Sequence, residues 1–94
     1  MEPVLKNEHE VYVFIGQRIR ATRVAQRVSQ GKLAVVLGVS FQQVQKYENG
    51  VNRVPILTLM AIAKIFGFGI SHFLPMYSQL EFVPEPDFRW VGGR

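Results

Sequence analysis

A chain of 94 residues, 48% of them apolar, is long enough for one domain around one modest core. It has no cysteine, which excludes disulfides, thiolate catalysis and cysteine-ligated zinc. The formal charge of +4 is unevenly spread: between Val11 and Leu74, Arg18, Arg20, Arg23, Arg27, Lys32, Lys46, Arg53 and Lys64 face a single acid, Glu48. A basic body with acidic ends is the electrostatic footprint expected of a polyanion binder.

Residues 1–10, MEPVLKNEHE, read as a short lead without the basic start and apolar core of a signal peptide. No apolar run reaches the length that crosses a membrane, so a cytoplasmic protein is expected. A first helix is predicted over about Val11 to Gln26, with Phe14 or Ile15, Ile19 and Thr22 at helical spacing and arginines on the other faces. Ser29 reads as an N-cap for a short helix from Gln30 to Leu37, whose Leu33, Ala34 and Leu37 share a face. Gly38 ends it in the left-handed conformation.

Ser40 opens the next helix, with Gln43 at capping-box spacing. That helix spans Phe41 to Glu48 and stops at Asn49-Gly50, both tolerant of positive φ. Pro55 suits the first turn of a fourth helix, Pro55 to Phe66, with Leu59, Ile62, Ala63 and Phe66 on its buried face. Ser71 to Leu74 is expected as a short fifth helix. From Pro75 to Arg94, Pro84, Pro86, Gly92 and Gly93 break any long element, and 75–94 reads as an irregular arm, either flexible or ordered against a second subunit or another partner. The fold class is therefore all-α, a compact bundle of about five helices over 11–74.

Two short helices joined by Gly38-Val39-Ser40 form the informative pattern. Glycine permits the sharp reversal, Val39 can pack beneath it, and Ala34 is small where the helices converge. Such a pair can be an ordinary helical hairpin, or it can brace a nucleic-acid backbone with its first helix and enter the major groove with its second.

The residues resemble one family. Ser29-Gln30, Leu33-Ala34, Gly38 and the closing Glu48-Asn49-Gly50 match in order and spacing the phage-repressor and Cro-like helix-turn-helix regulators (XRE-like). IGQRIR at 15–20 is similar to that family's first helix, and LMAIAKIFG at 59–67 to its fourth. The resemblance covers about residues 11–74, with the helix-turn-helix at 30–49, and implies a lambda-repressor-like DNA-binding domain. It implies that Phe41, Gln42, Gln43 and Lys46 read bases. A glutamine amide can make two parallel hydrogen bonds to adenine. Phe41 would press on a thymine methyl or pack on the preceding helix; Lys46 would reach guanine or, more often, phosphate.

It further implies phosphate contacts for Gln30, Asn49 and Arg53, with the cap of the third helix as the other role for Asn49 and a solvated side chain the other fate of Arg53. Arg23 and Glu48 are implied as a structural ion pair. Three features depart from the family pattern. Arg27 stands where glycine is common, Lys32 where glutamate is common, and Val35-Val36 where polar residues are usual, which suggests packing against the arm or another subunit.

His9 and His72 lie far apart and no catalytic constellation is visible, so neither an enzyme nor a metal or other cofactor is expected. The expected role is a sequence-specific transcriptional regulator, a repressor, acting at the nucleoid as a homodimer on a palindromic operator. Ile70, Phe73, Leu74, Met76, Tyr77 and Leu80 are the candidate interface, some of them needed for the core. The alternative is an antitoxin-like or accessory protein whose arm, with Phe82, Phe88 and Trp90, binds a protein partner.

Overall fold

The computed structural model describes residues 5–81, and the segment carrying Phe82, Phe88 and Trp90 lies outside them. Four α-helices follow in chain order: α1, Glu8–Ala25; α2, Gln30–Leu37; α3, Phe41–Glu48; and α4, Ile56–Phe66. Two 3₁₀ turns come after them, Ile70–Phe73 and Tyr77–Gln79. Among the described residues there is no β-strand and no helix long and apolar enough to cross a membrane.

The all-α class holds, with one correction to the helix count: the fifth element is a single 3₁₀ turn. Pro75 and the αL residue Gly67 bracket it too closely for an α-helix, and Phe73 anchors it by being wholly buried. Helix α1 starts three residues before the expected Val11. Glu8 and Glu10 fall in its first turn, where carboxylates favour the positive end of the helix. Asn7 spends its side chain elsewhere, donating to the Gln79 carbonyl (2.7 Å) and accepting from the Glu81 amide (3.0 Å). The lead and the start of the arm are thereby tied together.

The core is one cluster: Ile15 and Ile19 from α1, Leu33 and Ala34 from α2, Val44 from α3, Leu59, Ile62, Ala63 and Phe66 from α4, and Phe73. Phe73 therefore leaves the candidate interface, and Ile70 packs partly against the same core. Among the described residues nothing covers Val35 and Val36, which are exposed.

All four helices end alike. A residue in the αL region lets the next amide reach back: Val28 to the Arg23 carbonyl, Val39 to Ala34, Val51 to Lys46 and Phe68 to Ala63. Gly38, Gly50 and Gly67 supply that residue in three cases; in the first it is Arg27, with φ of 60°. The two short helices are also capped at their starts. Ser29 Oγ accepts from the Lys32 amide and Ser40 Oγ from the Gln43 amide, each at 3.0 Å.

Gly16 fixes how α1 meets α3. A Cβ there would strike the carbonyls of Tyr47 and Glu48, so α1 lies directly against the C-terminal turn of α3.

Candidate nucleic-acid interface

Helix α3 carries two opposite faces. Val44, Tyr47 and Glu48 are buried, while Phe41, Gln42, Lys46 and Asn49 are exposed and Gln43 and Gln45 half-buried. At 100° per residue, Gln42, Gln45, Lys46 and Asn49 share the outward sector, with Gln43 on one flank and Phe41 on the other. The structure thus brings the four expected base-reading residues onto one short helix. Gln45 joins that outward sector one turn after Gln42; the apolar side chains of Val44 and Tyr47, which set the inward face, were the signal in the sequence that could have found it. The exposed surface of α3 has no acid, because its one glutamate points inward.

That glutamate holds the helix in place. Arg23 Nε donates to Glu48 Oε2 at 2.6 Å and Arg23 Nη2 to Oε1 at 3.0 Å. The two side chains are only 9% and 1% exposed. Arg23 Nη1 donates to the Val28 carbonyl, and Gln30 Nε2 to Glu48 Oε1 at 2.9 Å. One network therefore fastens α1, the α1–α2 connection, the start of α2 and the end of α3. Among the described residues no buried side-chain nitrogen or oxygen lacks a partner, which is the condition for a buried pair to be tolerated.

The expected phosphate-contacting residues are placed around α3. Gln30 opens α2 and is half-committed to Glu48. Asn49 is the exposed residue ending α3, its backbone amide bonded to the Gln45 carbonyl. Arg53, in the α3–α4 connection, donates to Glu8 Oε1 at 3.0 Å and lies 6.0 Å over the Tyr12 ring. Its side chain is well exposed, so the pair is worth about 0–1 kcal/mol and can exchange for another anion.

His72 has a structural place that its isolation in the sequence hid. Its ring stacks on Phe68 at 3.9 Å, and its carbonyl accepts from Arg18 Nε at 2.7 Å. Thr22 Oγ1 gives its one hydrogen to the Arg18 carbonyl, so His72 Nε2, 3.0 Å away, must be the donor to Thr22. This clamp fixes the Ile70–Phe73 turn to α1. Among the described residues no three histidine, aspartate or glutamate side chains gather in a way that could hold a metal.

The helix-turn-helix family model matches residues 19–73, more than half of the chain. The chain belongs to the Cro/repressor-like (XRE-like) helix-turn-helix family. It is 45% identical over 73 residues to an uncharacterized transcriptional regulator in the ATPase CF(0) region of Rhodospirillum rubrum, covering 78% of this chain and 65% of that one. It is 41% identical over 68 residues to an uncharacterized HTH-type transcriptional regulator of Sinorhizobium medicae, covering 72% and 49%. The chain thus spans between about half and two thirds of these relatives' length. Among solved structures, the restriction-modification controller protein C.AhdI from Aeromonas hydrophila superposes with a TM-score of 0.63 at 27% identity, over 67% of this chain and 96% of that one. The DNA-binding domain of BldD gives 0.64 at 25% identity, over 71% and 97%. Hydroxypropylphosphonic acid epoxidase from S. wedmorenis shares the fold alone, at 23% identity and a TM-score of 0.64 over 35% of its chain.

Proposed function

We propose that this chain is a sequence-specific double-stranded-DNA-binding regulator, a repressor, that inserts α3 into the major groove. The observation that carries this reading is the outer face of α3: amides and a lysine, no acid, on a helix whose opposite face is locked by core packing and a buried ion pair. Family membership supports it, as do the printed names of the relatives and the two DNA-regulator-like neighbours. The epoxidase is a reminder that the fold alone would not.

Gln42 and Gln43 carry sequence preference by pairing with adenine edges, with Gln45 beside them. Lys46 reaches a guanine edge or a phosphate, and Phe41 contacts a thymine methyl. Gln30, with one amide hydrogen still free after its bond to Glu48, meets a phosphate beside the first amides of α2. Asn49 and Arg53 meet the backbone on the other side, Arg53 exchanging Glu8 for phosphate. One domain makes few base contacts, so a homodimer on a palindrome supplies the affinity. A cytoplasmic, nucleoid-associated location goes with that role.

Selection from a randomised pool of duplexes at two salt concentrations tests the proposal. A recovered palindrome, bound more weakly as salt rises, is the expected result. Recovery of no consensus refutes sequence-specific reading.

A further inference from the structure

The start of α1 lies directly against the α3–α4 connection. Gly50 makes this possible, since a Cβ there would come within 2.8 Å of the Cα and Cγ2 of Val13. Glu8 and Tyr12, four residues apart, share one face of α1 beside that contact. Arg53 reaches both of them: its Nη2 donates to Glu8 Oε1 at 3.0 Å, and its guanidinium carbon lies 6.0 Å from the centre of the Tyr12 ring. The Glu8 side chain is 28% exposed and that of Arg53 65%, so the acid is the seated member of the pair and the arginine the open one.

Among the described residues two acids stand in ion pairs, and they act in opposite ways. Glu48 is buried and keeps Arg23 inside the fold. Glu8 sits at the rim and spends one hydrogen bond on a guanidinium that can donate five. A carboxylate and a phosphodiester offer that guanidinium the same thing, two oxygens sharing one negative charge. Two anions held on one guanidinium repel each other, so a phosphate gains Arg53 only as the carboxylate gives it up. After the exchange Glu8 is left unpaired near the incoming phosphate, which opposes binding a second time. Tyr12 is uncharged, and its ring can support the cation in either state. Glu10, also in the first turn, is exposed and has no ion-pair partner among the described residues.

We propose that Glu8 is a built-in competitor for the DNA backbone: it stands in for a phosphate on Arg53 in the free protein and thereby lowers affinity for every duplex. This rests on the reading of Arg53 as a phosphate-contacting residue. The contact it weakens carries no sequence information, so base contacts from α3 make up a larger share of the binding that remains. Random sites far outnumber an operator, and a weaker hold on them frees the protein to find it.

Fluorescence anisotropy with a random-sequence duplex tests the proposal on the full chain, Glu8→Gln, Glu10→Gln, Arg53→Gln and the double variant of Glu8 and Arg53. Glutamine keeps the size of glutamate, and far-UV circular dichroism verifies the fold. An exposed pair shifts an equilibrium by up to about fivefold, and loss of the repulsion adds to it, so Glu8→Gln should tighten binding about three- to tenfold at low salt. Glu10→Gln removes the same charge from the same turn without touching Arg53 and should give about twofold or less. With Arg53→Gln already present, the gain from Glu8→Gln should shrink to that of Glu10→Gln. Raising the salt should shrink it too, because the pair and the repulsion are both screened. Weaker binding by Glu8→Gln overturns the proposal, since Glu8 would then hold Arg53 in place for the duplex. An equal gain with and without Arg53 overturns it as well. No duplex binding by any variant refutes the DNA-binding reading and the proposal together. Failure to select a consensus, with the dependence on Arg53 intact, refutes sequence-specific reading alone and leaves Glu8 as the competitor.

Discussion

Replacing Glu48 with alanine removes the acceptor for three donors at once: Arg23 Nε, Arg23 Nη2 and Gln30 Nε2. The Arg23 side chain is 9% exposed, so its guanidinium keeps only the Val28 carbonyl and gains little water in exchange. A stranded buried charge costs about 3–5 kcal/mol, a large share of the roughly 5–15 kcal/mol that holds a domain folded. At about 4–8 °C per kcal/mol for a domain of this size, the melting temperature should fall by more than about 12 °C. Urea denaturation followed by far-UV circular dichroism measures the loss directly. The double substitution Arg23→Met with Glu48→Leu removes both charges and should recover most of it, because the cost lies in the unpaired charge more than in the absent pair. A loss below about 1 kcal/mol for Glu48→Ala would place the pair among solvent-screened ones and refute the reasoning. So would a double variant no more stable than the single.

Three further outcomes are expected. Arg27→Gly should stabilise the fold by about 0.5–1 kcal/mol in the same urea assay, since it relieves a left-handed residue at some cost in unfolded-chain entropy; Arg27→Ala, which keeps the strain, should not. Gly16→Ala forces α1 off the Tyr47 and Glu48 carbonyls and should cost at least about 1–3 kcal/mol despite alanine's higher helix propensity, so an unchanged or raised midpoint would contradict the close approach. Gln42→Ala should lose about 1–3 kcal/mol of binding on a selected duplex and little on random sequence, as read by fluorescence anisotropy; equal losses on both would remove Gln42 from base reading.

Much of the bundle was legible in the chain because its signals are local. Ser29, Ser40, Gly38, Gly50 and Gly67 act on backbone groups within a few residues, so the bounds of α2 and α3 follow from them. The apolar spacing of α4 names its buried face for the same reason. The start of α1 was less legible because Asn7, a natural cap, is drawn to Gln79 and Glu81 across the fold. The short fifth segment was misjudged because Phe73 is placed by burial, and local propensity is weak over four residues. The candidate reading residues were nameable through the family resemblance, and burial of Val44, Tyr47 and Glu48 then oriented the helix that bears them.

By itself, the sequence determined the all-α class, the bounds and caps of α2 and α3, the acid-poor basic body and the amides carried by α3. All of these depend on neighbours along the chain or on composition. Tertiary structure alone decided that Gly16 lets α1 touch the carbonyls ending α3, that His72 donates to Thr22, and that among the described residues nothing covers Val35, Val36 or the outer face of α4. Each of these depends on which surfaces meet in space, and contacts between residues dozens of positions apart leave no period and no local cap to read.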